Sequence, residues 1–221
     1  MAAYIIMAII AYAIGSVNFS VIFSKKFAGF DVREKGSGNA GTTNMLRTVG
    51  KKAAAITLLC DILKGVVSIL IAIFVGNVVE GSDKELLVQI AGIAVILGHT
   101  FPIFFGFKGG KGVATSLGVL LMTNWQIGLI CLTFAIVLMA LTRMVSFGSV
   151  TAAVLYPVLT IILMNNPHYT VLTDGNDGRK YFIYSIILAV IVLFNHRSNI
   201  KRILEGKENK LSFKKLYWSI K

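Results

Sequence analysis

Three short segments of this 221-residue chain gather residue types suited to handling anions. Residues 36–47 read Gly-Ser-Gly-Asn-Ala-Gly-Thr-Thr-Asn-Met-Leu-Arg. Glycines there let backbone N–H groups crowd an anion, a helix is expected to start near Thr42, and Arg47 offers a planar fork to phosphate. Gly36, Gly38 and Gly41 spell G-x-G-x-x-G, but no strand precedes them, and Asp61, twenty residues after Gly41, falls inside an apolar run. A dinucleotide fold is excluded on that ground; a flexible basic loop is the plain alternative. In the second segment, residues 98–115, Lys108-Gly-Gly-Lys-Gly112 alternates cations with bare backbone ahead of a short helix. It is not a Walker A loop, since Phe105 stands where the first glycine belongs and Gly112 where Ser or Thr belongs. His99 reads equally well as a core histidine at a span end and as a site residue. The third segment, residues 196–210, begins His-Arg-Ser-Asn. On a continuing helix His196 and Asn199 share a face, flanked by Arg197 and Arg202. A basic stop-transfer tail needs cations, but it needs neither His, Asn nor Glu208.

The elements that must position these segments are apolar. Hydrophobic residues make up 56% of the chain and charged residues only 14%, and the mean hydropathy is +0.77. That composition leaves too little charge to cover a soluble surface. The net charge of +12 lies mostly in short stretches flanking apolar runs, which argues for membrane orientation and against nucleic acid. Seven runs approach the roughly 20 residues that a bilayer crossing requires: 3–23, 53–76, 86–105, 112–122, 126–141, 145–164 and 180–195. The expected fold is all-α, a single polytopic domain of seven spans over residues 1–221. Its fourth span is too short to cross alone, so residues 107–112 are expected to be non-helical backbone lining a cavity. With the N-terminus outside and the C-terminus cytoplasmic, inner segments hold eighteen Lys and Arg and outer segments three. Met1 is followed directly by a retained span rather than a signal peptide. Inside the membrane Asp61 and Lys64, at i and i+3, are expected to pair for structural reasons. Ser16, Asn18 and Ser20 read as hydrogen-bonding glue. Cys60 and Cys131 lie in apolar runs without metal or redox spacing. Residues 165–179 read as an outer loop, and Phe213, Leu216, Tyr217 and Ile220 as one face of an interfacial helix.

Taken together and in order, the three segments resemble the bacterial membrane acyl-phosphate:glycerol-3-phosphate acyltransferases, the PlsY family. The family's S-G-N-x-G-x-T-N-x-x-R is matched from Ser37 to Arg47. Its G-H-x-x-P-x-x-x-x-F-K-G-G-K-G-V-A-T is matched from Gly98 to Thr115, and its H-R-x-N-I-x-R-x-x-x-G-x-E from His196 to Glu208. Ala40 stands where the family often has Pro, and Val17-Asn18 where it commonly has Ile-Pro. The resemblance implies transfer of a fatty acyl group from acyl phosphate to the 1-hydroxyl of glycerol 3-phosphate, the entry step of phospholipid synthesis. It implies no cofactor and no metal, a monomer, and a multi-pass protein of the bacterial plasma membrane with its site on the cytoplasmic face. Catalysis then falls to Ser37, Arg47, His196 and Asn199. Phosphate and substrate binding falls to Asn39, Gly41, Thr42, Asn44, His99, Lys108, Gly109, Gly110, Lys111, Gly112, Thr115 and Arg197, with Glu208 structural. The acyltransferases built on His-x-x-x-x-Asp are excluded, since Phe104, Thr173 and Lys201 stand five after His99, His168 and His196. An organic-phosphate transporter is the alternative, favoured by the broken fourth span and disfavoured by the lack of a cationic outer entry or a repeated half. A membrane scaffold would leave the glycine and lysine patterns unexplained.

Overall fold

The computed structural model describes residues 1–163 and 178–211. Its order is α1 (Ala2–Ser16), α2 (Phe19–Ala28), α3 (Thr42–Thr48), α4 (Lys51–Val78), α5 (Lys84–Thr100), α6 (Val113–Thr123), α7 (Trp125–Thr142), α8 (Val145–Leu163), α9 (Gly178–Asn195) and α10 (Arg197–Leu204). The greater part of the expected outer loop and the amphipathic face at Phe213 to Ile220 lie outside the described residues. Among the described residues five stretches are long and apolar enough to cross a membrane: Ala2–Ala28, Lys51–Val78, Lys84–Phe105, Trp125–Thr142 and Val145–Leu163. A sixth is the pair Tyr181–Asn195 and Arg197–Leu204, bent by 66°.

The large apolar side chains on the outside confirm that lipid is the solvent. Ile9, Leu70, Phe74, Leu141 and Ile162 are exposed, while the interior carries Ser16, Thr57, Asp61, Lys64, Ser68 and Asn199. That is the inverse of a water-soluble distribution. The core runs through Met7 and Ala11 of α1, Ile69 of α4, Leu87, Val88, Ala91 and Val95 of α5, Val119 of α6 and Tyr184 of α9. Helix α1 packs along α5, α4 against α5 and α6, and α7, α8 and α9 succeed one another.

Two interruptions correct the simplest reading of the apolar runs. The first span is broken at Val17 and Asn18, where α1 ends and α2 begins. Asn18 caps α2 by accepting the Val21 N–H. The carbonyls of Gly15 and Val17, orphaned by the break, accept from Lys64 Nζ at 3.0 and 3.1 Å. An ammonium thus satisfies polar backbone that lipid cannot. The second interruption is at His196, which is the N-cap of α10 rather than a residue inside a continuing helix. Helix α6 is short, as expected, with 11 residues preceded by non-helical backbone through Gly112.

Candidate active site

The first segment is shaped by Asn44. Its side chain is fully buried, donates from Nδ2 to the carbonyls of Val32 (2.9 Å) and Lys35 (3.0 Å), and accepts from the Ser37 N–H at 3.0 Å. Asn44 therefore folds residues 35–37 back over α3, which starts at Thr42 as the sequence predicts. Arg33 joins this loop to the second segment. Its guanidinium is held by Asp31 and donates to the carbonyls of Phe105 (2.6 Å) and Lys108 (3.3 Å). The Arg33 hydrogen bonds outweigh burial and hold the Asp31 carboxyl below the ordinary carboxylate range.

The second segment turns on the end of α5. Gly109 and Gly110 donate their N–H groups to the carbonyls of Thr100 and His99, each at 3.1 Å. Those donors are committed within the loop rather than presented to a ligand. A Cβ on Gly110 would lie 2.1 Å from His99 Nε2 and 2.8 Å from the Ala40 carbonyl, so glycine is required where the first two segments cross. His99 itself is buried, its Nδ1 3.5 Å from Asp61, which pairs with Lys64 at 3.0 Å. The structure thus places His99 between a buried ion pair and the glycine turn.

The third segment closes the site from α9 and α10. Asn195 donates to Thr100 Oγ1 (3.1 Å) and to the Lys111 carbonyl (3.4 Å), tying the end of α9 to the second segment. His196 Nδ1 lies 2.8 Å from the Val192 carbonyl. A carbonyl can only accept, so Nδ1 carries the proton and Nε2 keeps its lone pair. Asn199 accepts from Lys111 Nζ and donates to Glu208 Oε1 at 2.9 Å. Ser146 Oγ donates to the same carboxylate oxygen (3.0 Å), and Arg202 Nε to Oε2 (2.8 Å).

These contacts tune the charges. Burial opposes ionisation of Glu208, but the hydrogen bonds of Asn199, Arg202 and Ser146 prevail and hold it ionised below its ordinary range. Lys111 is pushed down to about 8, first by burial and then by Arg202 and Arg47, against the pull of Glu208. His196 is pushed down to about 4 by burial and by Lys111, and is neutral near pH 7.

A cavity of about 890 Å³ opens among the three segments and runs on between α6, α7, α8 and α9. From the first segment it is lined by Ser37, Asn39, Gly41, Thr42, Asn44 and Arg47; from the second by His99, Lys111 and Gly112; from the third by His196, Arg197, Asn199 and Glu208. Asp61 also reaches it, and beyond this polar mouth the walls are Leu117, Leu120, Cys131, Ala135, Ala152, Val192 and similar apolar side chains. Thr42 Oγ1 and Ser116 Oγ are buried in its wall without a hydrogen-bond partner among the described residues. Lys108, Gly109, Gly110 and Thr115 are not in the wall. Lys108 is exposed, and Thr115 is fully buried where α6 touches Gly65 of α4. Arg197 is exposed and stacks on the Phe194 ring at 4.6 Å. Sequence reasoning missed Arg33, Thr100, Ser146 and Asn195. Arg33 had counted only as an orientation cation, Thr100 falls at a variable position of the second segment, and Ser146 and Asn195 are single polar residues at span ends with no motif spacing.

The family model described as glycerol-3-phosphate acyltransferase matches residues 5–206, which include the first two segments and the third as far as residue 206. The chain belongs to that family. It is 44% identical over 212 residues to the glycerol-3-phosphate acyltransferase of Clostridioides difficile, covering 96% of this chain and 97% of that protein. With the glycerol-3-phosphate acyltransferase of Neisseria meningitidis serogroup C it shares 40% identity over 202 residues, covering 91% and 94%. Its fold matches the crystal structure of PlsY, an integral membrane glycerol 3-phosphate acyltransferase, in the glycerol 3-phosphate form. The TM-score is 0.82 at 32% identity, with 98% of this chain and 99% of that one covered. The lysophosphatidic acid form of the same protein matches with a TM-score of 0.79. As a member of this family the chain is a multi-pass membrane acyltransferase of lipid biosynthesis.

Proposed function

We propose that the protein transfers a fatty acyl group from acyl phosphate to the 1-hydroxyl of glycerol 3-phosphate, giving 1-acylglycerol 3-phosphate and inorganic phosphate. The observation that carries this reading is one continuous cavity with a cationic, hydrogen-bonding mouth and an apolar stem. A donor with a phosphorylated head and a long acyl tail fits both parts, and the names of the relatives supply the acceptor. The hydroxyl oxygen attacks the acyl carbon, the bond from that carbon to the bridging oxygen breaks, and phosphate leaves.

The donor is a mixed anhydride and is already activated, so the protein's task is alignment and charge stabilisation. Arg47, Lys111 and the start of α6 at Gly112 receive phosphate oxygens. Ser37 and Asn39 add hydrogen bonds. His196 accepts the hydroxyl hydrogen bond on Nε2 and sets the line of attack, while Asn199, pinned by Glu208, holds Lys111. A histidine titrating at about 4 is a poor final proton acceptor. The departing phosphate, which gains a basic oxygen as the bond to the acyl carbon breaks, takes the proton instead. Gly109, Gly110 and His99 act by shaping the second segment.

We read the chain as seven spans, with α6 as a short fourth, the N-terminus outside and the mouth on the cytoplasmic face of a bacterial plasma membrane. The eighteen-to-three distribution of basic residues supports that orientation. The test is to reconstitute the purified protein in lipid, supply palmitoyl phosphate and glycerol 3-phosphate, and measure lysophosphatidate. Formation of product from acyl phosphate but not from acyl-CoA is expected. No product, with glycerol phosphate accumulating inside sealed vesicles, would point to transport.

A further inference from the structure

The apolar stem has a definite end. Its last wall residues are Leu120 on α6, Gly128 on α7, Tyr156 on α8 and Leu188 on α9, so the wall stops on all four helices. The next layer is filled: Thr123 beyond Leu120, Ile127 beyond Gly128, Thr160 beyond Tyr156 and Tyr184 beyond Leu188 are all buried. Helix α6 finishes at Thr123 and α7 starts at Trp125, so the turn between them seals the bottom. On α8 the wall changes size abruptly. Ser149, Ala152 and Ala153 are small, and one turn further Tyr156 presents a ring that is 5% exposed.

Helix geometry gives the depth. From Gly112 at the mouth to Leu120 is eight residues, and from Ser146, which holds Glu208, to Tyr156 is ten. At 1.5 Å per residue these are about 12 and 15 Å. An extended hydrocarbon chain advances about 1.25 Å per carbon, so about 10 to 12 carbons reach the floor.

We propose that Tyr156 is the floor of the acyl channel and sets the chain length beyond which added methylenes gain nothing, a deepening of the acyl-transfer reading on which it rests. Each methylene buried before the floor strengthens binding about fourfold, and each one after it leaves binding nearly unchanged.

The experiment uses the reconstituted full-length protein and alkyl phosphates of 8 to 18 carbons, read both as inhibitors of acyl transfer and by the rise in melting temperature they cause. In the native protein affinity climbs steeply and flattens at about 10 to 12 carbons. Tyr156→Ala moves the flattening about four carbons later. Tyr156→Phe leaves it in place, because the ring remains. Ala153→Leu, one turn nearer the mouth, moves it about three carbons earlier and provides a second test should Tyr156→Ala fold poorly. A flattening point that is the same in Tyr156→Ala, Ala153→Leu and native protein overturns the proposal, as does a steep climb through 18 carbons in the native protein. Absence of transfer from every acyl phosphate, with the melting-temperature series still ordered by length, overturns the reaction and leaves the floor supported.

Discussion

Replacing Glu208 with Gln removes one negative charge while keeping the shape of the side chain. In the native site its carboxylate accepts from Ser146, Asn199 and Arg202, and it is the one group that pulls the Lys111 pKa up against burial, Arg202 and Arg47. The Asn199 amide bridges Lys111 and Glu208, which sets the two charges about 7 Å apart. At an effective dielectric between about 20 and 40, removing the carboxylate costs the ammonium about 1 to 2 kcal/mol, equivalent to one pH unit or slightly more. Lys111 titrates at about 8 in the native site, so in the variant it loses its proton close to neutrality. Since the reading needs Lys111 as a cation, kcat/KM for acyl phosphate falls on the alkaline side, and that limb reports the free enzyme. The expected result is a limb near pH 8 in the native enzyme, displaced to lower pH by about one unit in Glu208→Gln. At pH 8 this is roughly a fivefold loss, approaching tenfold at higher pH. Activity is to be measured on reconstituted protein from pH 6 to 9.5, with melting temperatures confirming that the variant is folded. An alkaline limb that keeps its position while the whole curve drops would refute the electrostatic role and leave Glu208 with packing alone.

Arg47→Ala, with insertion and folding verified, is expected to raise the KM for a phosphorylated substrate about tenfold or more, since a charge-assisted contact contributes about 1.5 to 3 kcal/mol. Gly110→Ala drives a methyl into His99 Nε2 and should lower activity about a hundredfold through displacement of the loop, with little change in secondary structure by circular dichroism. Lys64→Met strands Asp61 as a buried carboxylate and frees the Gly15 and Val17 carbonyls. The expected cost is about 3 to 5 kcal/mol, and the double variant with Asp61→Asn should melt above Lys64→Met alone. His196 is pushed down to about 4 by burial and Lys111, so the unfolded chain, with an ordinary value near 6.5, binds the proton more readily. Stability is therefore full above about pH 6.5 and declines toward pH 4, by up to about 3 kcal/mol from this group, and His196→Gln should flatten that decline in a thermal melt.

The helical architecture was legible because lipid demands long apolar runs, and the short α6 announced itself by length alone. The pairing of Asp61 with Lys64 was legible for the same reason, since unpaired charge is not tolerated there. What Lys64 also does was not: its bonds to Gly15 and Val17 come from a helix 49 and 47 residues away in sequence. The three segments showed which residues carry charge and freedom of backbone, but not which donors are already in use. Gly109 and Gly110 looked like phosphate ligands, and their N–H groups turned out to face Thr100 and His99. Likewise the bend at His196 follows from no proline or glycine at that position.

Helix α6 has 11 residues and α7, which follows it after one turn, has 18. Its start at Gly112 is therefore seven residues, about 10 Å, short of the level that α7 reaches. A lipid whose head must be gripped at Gly112 meets the cations at a depth where its chain still lies among other chains. A site level with the end of α7 would have to draw the same lipid upward by about 10 Å, baring about eight methylenes to water at about 0.8 kcal/mol each. On the proposed reading, the missing two turns of one helix bring the polar reagents down to the lipid and spare about 6 kcal/mol of extraction.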